Sequence, residues 1–311
     1  MKKKKLSAII ACYRDAQAIP VMYERLTKVF KEIQVDYEII FVNDGSPDNT
    51  EAVLKKLVEK DEHVIGVNHA RNFSSQMAFT SGMNISTGDA IIFMDGDLQD
   101  PPELIKDFFE KYEEGYDVVY GTRVKRDEVW YMQLFYKLFY RVFKKLSYLN
   151  MPLDAGDFSL IDRKVVDELK KFPERDRLIR GLRAWVGFKQ TGVPYVRPKR
   201  MFGVSTNNLF KNFRWAVKGI FSFSYAPLEM MTNLSLVVCI AAFLGIIWQV
   251  FNRFIDPGTP RGVSTIIVVV LFLGAVQLLG ISILGEYLMK IFEEVKQRPH
   301  YIVKSIMKKS R

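Results

Sequence analysis

The sequence predicts an α/β domain built on a mostly parallel sheet, followed by two helices that cross a membrane as a hairpin. Three observations predict it. Between Leu6 and Gly121 short apolar runs alternate with segments of helical spacing, the pattern of strands joined by helices. Two long runs, 230–252 and 262–285, carry no charged residue, and each exceeds the roughly 20 residues a helix needs to span a bilayer. Finally, the apolar run 90–94 ends in Asp95-Gly96-Asp97, two carboxylates near a strand end that can be aimed at one point.

Residues 6–11 read as a buried strand; the lysines before it and the short apolar stretch resemble a signal peptide, but Arg14-Asp15 interrupt it. Helical spacing covers 21–33. A second strand over 37–42 ends in the turn cluster Asn43-Asp44-Gly45-Ser46-Pro47-Asp48, and Asp48-Asn49-Thr50 caps a helix over 51–59. A short strand over 64–68, a helix over 74–85 closed by Gly88, and the carboxylate-bearing strand 90–94 follow. The domain continues with a helix over 102–112 and a strand over 117–121. In such sheets ligands bind beyond the carboxyl ends of the strands, so Asp15, Asp44, Asp95 and Arg123, all at or just after strand ends, are expected in one crevice.

At 311 residues the chain is expected to form two units. The catalytic part is assigned to 1–208, a juxtamembrane amphipathic helix to 209–225, the hairpin to 226–288 and a basic cytosolic tail to 289–311. The net charge of +10 suits anionic lipid headgroups; no nucleic-acid recognition motif accompanies it. Basic residues flank the hairpin on its outer sides, including Lys2 to Lys5 and Lys304, Lys308 and Lys309. These place both flanks, and the large N-terminal part, on the cytosolic side of the cytoplasmic membrane. Segments 130–149 and 209–223 are aromatic and basic and are expected in the headgroup plane, with packing against the sheet as the alternative. Cys12 and Cys239 are not expected to pair. Gly245, Gly274, Gly280 and Gly285 permit close helix packing, including with another copy of the chain.

The carboxylate pair points to a hard cation. Mg²⁺ is usually held by one or two carboxylates plus substrate phosphates, so Asp95 and Asp97 read as a Mg²⁺ or Mn²⁺ site for a diphosphate, against the alternative of a polar turn. His69 has no ligand cluster around it and reads as structural.

Together these motifs resemble family 2 glycosyltransferases of the GT-A, Rossmann-like fold. The nearest branch comprises the polyprenyl-phosphate glycosyltransferases, both bacterial undecaprenyl-phosphate glucosyltransferases and dolichol-phosphate mannose synthases. The resemblance runs through Val42-Asn43-Asp44-Gly45-Ser46, Ala70-Arg71-Asn72-Phe73, Asp95-Gly96-Asp97-Leu98-Gln99-Asp100-Pro101-Pro102-Glu103 and Gly121-Thr122-Arg123. It continues through Gly156-Asp157-Phe158, residues 177–187 and Arg200-Met201-Phe202-Gly203-Val204-Ser205, and includes the two-helix tail. It implies a nucleotide-sugar donor, UDP-glucose first, with GDP-mannose and modified UDP-sugars of the aminoarabinose type open. It implies donor contacts from Ala11, Tyr13, Asp15, Asp44 (to the base), Ser46 and Arg71, and from Asp95, Gly96, Asp97 and Gln99. Arg123 is expected on phosphate, and Arg200, Ser205 and Lys211 on the phosphate of a polyprenyl phosphate acceptor. Three departures stand out. Tyr13-Arg14-Asp15 replaces the usual Tyr-Asn-Glu, Gly96 replaces a common alanine or serine without expected harm, and Thr206-Asn207 replaces Lys-Tyr.

The implied reaction moves one sugar from a nucleotide diphosphate to a lipid phosphate. A phosphate monoester has a second pKa near 6, so the nucleophile is already ionised and no strong base is required. Asp157 is expected either to act as a base or to orient the acceptor. Asp97 and Arg123 are expected to stabilise the leaving group's charge, with inversion at the anomeric carbon. Two rivals are a processive polysaccharide synthase, partly matched by Lys211-Asn212-Phe213-Arg214-Trp215, and a non-catalytic sugar-nucleotide binder.

Overall fold

The computed structural model describes residues 3–124, 155–198, 200–202, 224–255 and 262–309. The expected interfacial helix at 130–149, most of the juxtamembrane helix, Ser205 and Lys211 lie outside the described residues.

Five strands come where the sequence puts them: β1 (Lys5–Cys12), β2 (Asp36–Asn43), β3 (Val64–His69), β4 (Ala90–Asp95) and β5 (Val118–Arg123). Between them run α1 (Ala18–Glu32), α2 (Thr50–Lys60), α3 (Ser75–Ile85) and α4 (Ile105–Glu113). Helix α1 starts before the expected position because Pro20 falls in its first turn, where its missing N–H has no partner to lose. Its buried face is Ile19, Met22, Leu26, Val29 and Phe30, spaced for one side of a helix. Asn49 is the N-cap of α2 without a side-chain cap bond, and Asp48 Oδ1 accepts from Thr50 N at 3.2 Å and from the Thr50 hydroxyl at 2.6 Å. Pro102–Leu104 is a 3₁₀ turn ahead of α4.

Three more strands complete the sheet: β6 (Ala155–Asp162), β7 (Gln190–Tyr195) and β8 (Val303–Met307), with α5 (Arg163–Lys171) and α6 (Ile179–Trp185) between the first two. The described strands form one sheet in the order β7-β5-β6-β4-β1-β2-β3-β8. β1 pairs in parallel with β2 and β4, β2 with β3, and β5 with β7. β6 runs antiparallel between β4 and β5. That direction brings the start of β6 to the edge where β1, β2, β3, β4, β5 and β7 end. β2 and β4 lie on opposite sides of β1, which opens the crevice at that rim. Apolar side chains of β1, β2 and β4 fill the core with the inner faces of α1, α2 and α4.

Within the segment expected as a basic tail, residues 303–307 form β8, antiparallel on β3 at the sheet edge. Half-buried Val303, Ser305 and Met307 alternate with exposed Lys304 and Ile306, the period of a strand. Met307 Cε occupies the space a Cβ on Gly66 would need, 2.7 Å away. Lys304 and the lysines that follow the strand hid this alternation behind a charge count.

The described residues divide into two compact units, one holding the sheet with 297–309 and the other 224–296. The second unit contains α7 (Ala226–Ile255) and α8 (Val263–Val295), of 30 and 33 residues. Both are long and apolar enough to cross a membrane, over Ala226–Gly245 and Phe272–Val295. They expose large apolar side chains such as Leu236, Phe243, Trp248, Ile281 and Leu284. Of the four glycines expected to permit packing, Gly280 meets Met231 Cε at 3.0 Å from its ideal Cβ, and the other three face open space.

Candidate active site

Ala11 pairs with Asp95 across β1 and β4, so the chain leaves both strands side by side. A cavity of about 340 Å³ opens there, lined by Ala11, Cys12, Tyr13, Asp15, Asp44, Asn72, Ser75, Asp95, Gly96, Asp97, Gln99, Arg197 and Arg200. The volume suits a small ligand. Every expected donor-side residue lines it except Ser46 and Arg71.

Opposite charges meet inside. Asp97 Oδ2 accepts from Arg200 Nη2 at 2.9 Å, and Arg197 lies 4.0 Å from the same oxygen and 3.9 Å from Asp100 Oδ1. Asp97 Oδ1 accepts from Gln99 N at 3.0 Å. Tyr195 donates to Asp100 at 2.6 Å and accepts from Arg123 Nε at 3.4 Å. Carboxylates still crowd the floor. Burial raises Asp95 well above the ordinary aspartate range, and Asp100, Asp97 and Asp157 push it further. Burial also raises Asp100, against the pull of Arg197 and the Tyr195 hydroxyl. Asp15 rises to about 6, chiefly by burial, with the Tyr13 amide opposing and Asp97 adding to it.

This crowding fits a divalent cation, and Asp95 and Asp97 are the residues suited to hold one. Among the described residues no three His, Cys, Asp or Glu side chains form a complete cage. Mg²⁺ commonly binds through one or two carboxylates and completes its shell with phosphate and water. Gly96 is less neutral than expected. A Cβ there would lie 3.0 Å from both Ala11 O and Asp15 Oδ2 and 3.3 Å from Cys12 Sγ, so an alanine requires these neighbours to give.

Asp44 does not present a free carboxylate to the cavity. Its Oδ1 accepts from His69 Nδ1 at 2.8 Å and Phe73 N at 2.9 Å, and its Oδ2 from Ser74 N at 2.8 Å. Asp44 thereby folds the loop after β3 onto the loop after β2. The fit is tight: Gly45 has φ +62°, and a Cβ there would sit 2.3 Å from Arg71 C. Ser74, at the mouth of α3, has φ 83°, held by its bond to Asp44.

The remaining expected residues lie off the cavity wall. Ser46 Oγ accepts from Arg14 N at 2.8 Å and donates to Asp48 at 2.6 Å, tying two rim loops. Arg71 is exposed and lies over the Phe73 ring at 4.2 Å. Asp157, in β6, accepts from Gln76 Nε2 at 2.8 Å. Gln76 Oε1 in turn accepts from Ile179 N at 2.7 Å, which clamps the carboxylate. The Arg123 guanidinium rests on Gly156, where a Cβ would stand 2.9 Å from Nη2. Buried Arg183 donates to Gly156 O at 3.4 Å, and burial lowers its pKa to about 10. Arg200, expected on the acceptor side, is bonded to the donor-side Asp97.

Cys12, Asn72, Ser75 and Arg197 line the cavity without having been anticipated. Asn72 sits inside the Ala70-Arg71-Asn72-Phe73 motif, where the charged neighbour drew attention. Arg197 belongs to Arg197-Pro198-Lys199-Arg200, a basic cluster just past a strand end, which was the available signal.

Residues 7–170 match the sequence profile of glycosyl transferase family 2. The chain is 39% identical over 302 residues to an uncharacterized glycosyltransferase of Synechocystis sp., covering 97% of this chain and 95% of that one. It is 37% identical over 303 residues to the bactoprenol glucosyl transferase of Shigella phage SfX, covering 97% and 99%. Among solved structures it aligns with the mannosyltransferase PcManGT from Pyrobaculum calidifontis over 90% of this chain and 88% of that one, at 14% identity and TM-score 0.45. A parallel-rich sheet whose fourth strand delivers Asp95-Gly96-Asp97 to its rim beside the end of the first, a profile match over those strands and full-length relatives agree: the chain belongs to glycosyl transferase family 2 and is a glycosyltransferase of the GT-A fold.

Proposed function

We propose that the chain transfers a single sugar, first of all glucose from UDP-glucose, to a polyprenyl phosphate at the cytosolic face of the cytoplasmic membrane. The observation that carries this reading is the meeting of Asp95, Asp97, Arg197 and Arg200 in one cavity, a setting for a diphosphate with its cation. Full-length similarity to a bactoprenol glucosyl transferase supports the acceptor. Two helices of membrane-spanning length and the basic flanks support the location.

In the reaction a lipid phosphate oxygen forms a bond to the anomeric carbon while the bond to the diphosphate oxygen breaks. The electron pair leaves with the nucleoside diphosphate, and the configuration inverts. Asp95 and Asp97 would hold Mg²⁺ or Mn²⁺, which when bound would supply positive charge against that diphosphate. Arg197 and Arg200 exchange their carboxylate partners for phosphate oxygens, which strengthens their contacts as charge develops. Asp157, fixed by Gln76, orients the acceptor or faces the positive charge on the sugar; it need not remove a proton. Ser205 and Lys211 complete the acceptor phosphate contacts.

The test is transfer of labelled sugar from a panel of UDP- and GDP-sugars to undecaprenyl phosphate in detergent, with Mg²⁺ or Mn²⁺ and with EDTA. One donor yields a single-sugar lipid, and EDTA abolishes it. Nucleotide binding without transfer from any donor refutes the proposal, and an elongating product points to a polymerase. In the same assay Asp157→Asn loses far less turnover than Asp97→Ala, about tenfold against a hundredfold or more. Equal losses, with a pH dependence seen only in the wild type, make Asp157 a base.

A further inference from the structure

The strand that follows the two long helices is wired to the cavity. Residues 296–302 link the end of α8 to β8, and two polar ladders run from there across β3 to the loop after β2. In the first, the Tyr301 ring stacks on His69 with centroids 5.3 Å apart and planes 13° from parallel. The Tyr301 hydroxyl accepts from Asn84 Nδ2 at 2.6 Å, which fixes the ring. His69, fully buried, donates to Asp44 Oδ1, and Asp44 holds the amides of Phe73 and Ser74. In the second, Asn68 Nδ2 donates to Ser305 Oγ at 3.0 Å, Asn43 Nδ2 donates to Asn68 Oδ1 at 2.9 Å, and Ser46 N donates to Asn43 Oδ1 at 2.9 Å. A backbone bond from Ala70 N to Ile302 O at 2.9 Å closes the gap between them.

We infer that Tyr301 is a positioning residue for the nucleotide half of the active site, acting through His69 and Asp44 on the loop that carries Asn72 and Ser75. The physical reason is that Asp44 has little freedom of its own. It is buried, and its orientation is set by the imidazole that donates to it. That imidazole has a T-shaped contact with Phe73 on one side and the Tyr301 ring over its face. Among the described residues its Nε2 has no hydrogen-bond partner, and ring packing holds its tilt. Removing the Tyr301 ring frees the imidazole to rotate and loosens Asp44's hold on the amides of Phe73 and Ser74, the latter strained at φ 83° and then left with Asn72 Oδ1, 3.1 Å away, as its acceptor. Asn72 and Ser75 then lose their place on the cavity wall.

This inference rests on reading the cavity as a nucleotide-sugar site, and the experiment separates the two. UDP and GDP are each titrated calorimetrically, with Mg²⁺, into the full chain in detergent, for wild type, Tyr301→Ala, Tyr301→Leu and Tyr301→Phe. Melting temperatures are recorded alongside. Tyr301→Ala is expected to weaken the better-binding nucleotide about tenfold. Tyr301→Phe keeps the stack and stays within about twofold of wild type. Tyr301→Leu, which keeps apolar bulk but removes the flat ring over His69, gives a smaller loss and stands in if Tyr301→Ala does not fold. Wild-type affinity in Tyr301→Ala despite a lower melting temperature, or in Tyr301→Leu where that variant stands in, overturns the inference and leaves the site intact. Failure of wild type to bind either nucleotide removes the nucleotide reading itself.

Discussion

Asp95→Asn is expected to raise the melting temperature of the metal-free protein while cutting turnover by about a hundredfold or more. The carboxyl group ends β4 half-buried on the cavity floor, beside Asp97, Asp100 and Asp157. Desolvation and three like charges make its ionised form costly in the folded state. That cost is present whether the group takes up a proton or stays charged, because in the unfolded chain it is solvated and alone. Asparagine has the same shape without the charge. The gain is about 2–4 °C, the shift that roughly 1 kcal/mol produces in a domain of this size. The same change removes half of the pair suited to hold the cation, so stability rises as function falls. Thermal melts with EDTA, paired with turnover at saturating Mn²⁺, check both halves. A lower melting temperature in the variant shows that the crowding is already compensated by Arg197 and Arg200, and contradicts the charge argument.

Gly45→Ala is expected to damage nucleotide binding more than any other single methyl addition in the protein. Two effects add. An L-residue at φ +62° sits in the left-handed region at a cost of about 1–2 kcal/mol. The new Cβ also stands 2.3 Å from Arg71 C and 2.6 Å from Asn72 N, and backbone cannot swing aside as a flexible side chain does. The loop bearing Asn72 has to lift off Asp44. A loss of at least tenfold in UDP or GDP affinity follows from about 1.4 kcal/mol of lost binding, with a melting temperature several degrees lower by the same scaling as above. Titration calorimetry of the variant, at a temperature where it remains folded, decides it. Wild-type affinity there places nucleotide recognition elsewhere than on this loop.

The strands β1 to β5 were legible because each is a run of buried apolar residues between turn signals, and parallel strands carry that signature strongly. β6 was not, since Gly156 and Asp157 open it and an antiparallel return has no helical crossover to announce it. β8 was hidden by Lys304 on an outward position and by the lysines that follow the strand. At the site, side chains near a strand end were readable from one segment at a time: Asp15, Asp44, Asp95 and Asp97 all reach the rim. Pairings between distant segments were not. Nothing local to Asp97 or Arg200 says that they touch, and nothing local to His69 says that its partner is Asp44. The choice of Arg71 over Asn72 shows the same limit in miniature, because the motif was found and only the fold decides which of its side chains turns inward.

The position of β8 sets an order of events during synthesis. A ribosome releases β3 with the first quarter of the chain, but its outer neighbour emerges only after both long helices have left the exit tunnel. At about 5–20 residues per second the interval is on the order of ten to fifty seconds. Throughout it, the far edge of the sheet shows unpaired N–H and C=O groups, and the wall built on Asp44 lacks its buttress. Synthesis therefore places the completion of this sheet edge, and of the packing behind Asp44, after both long helices.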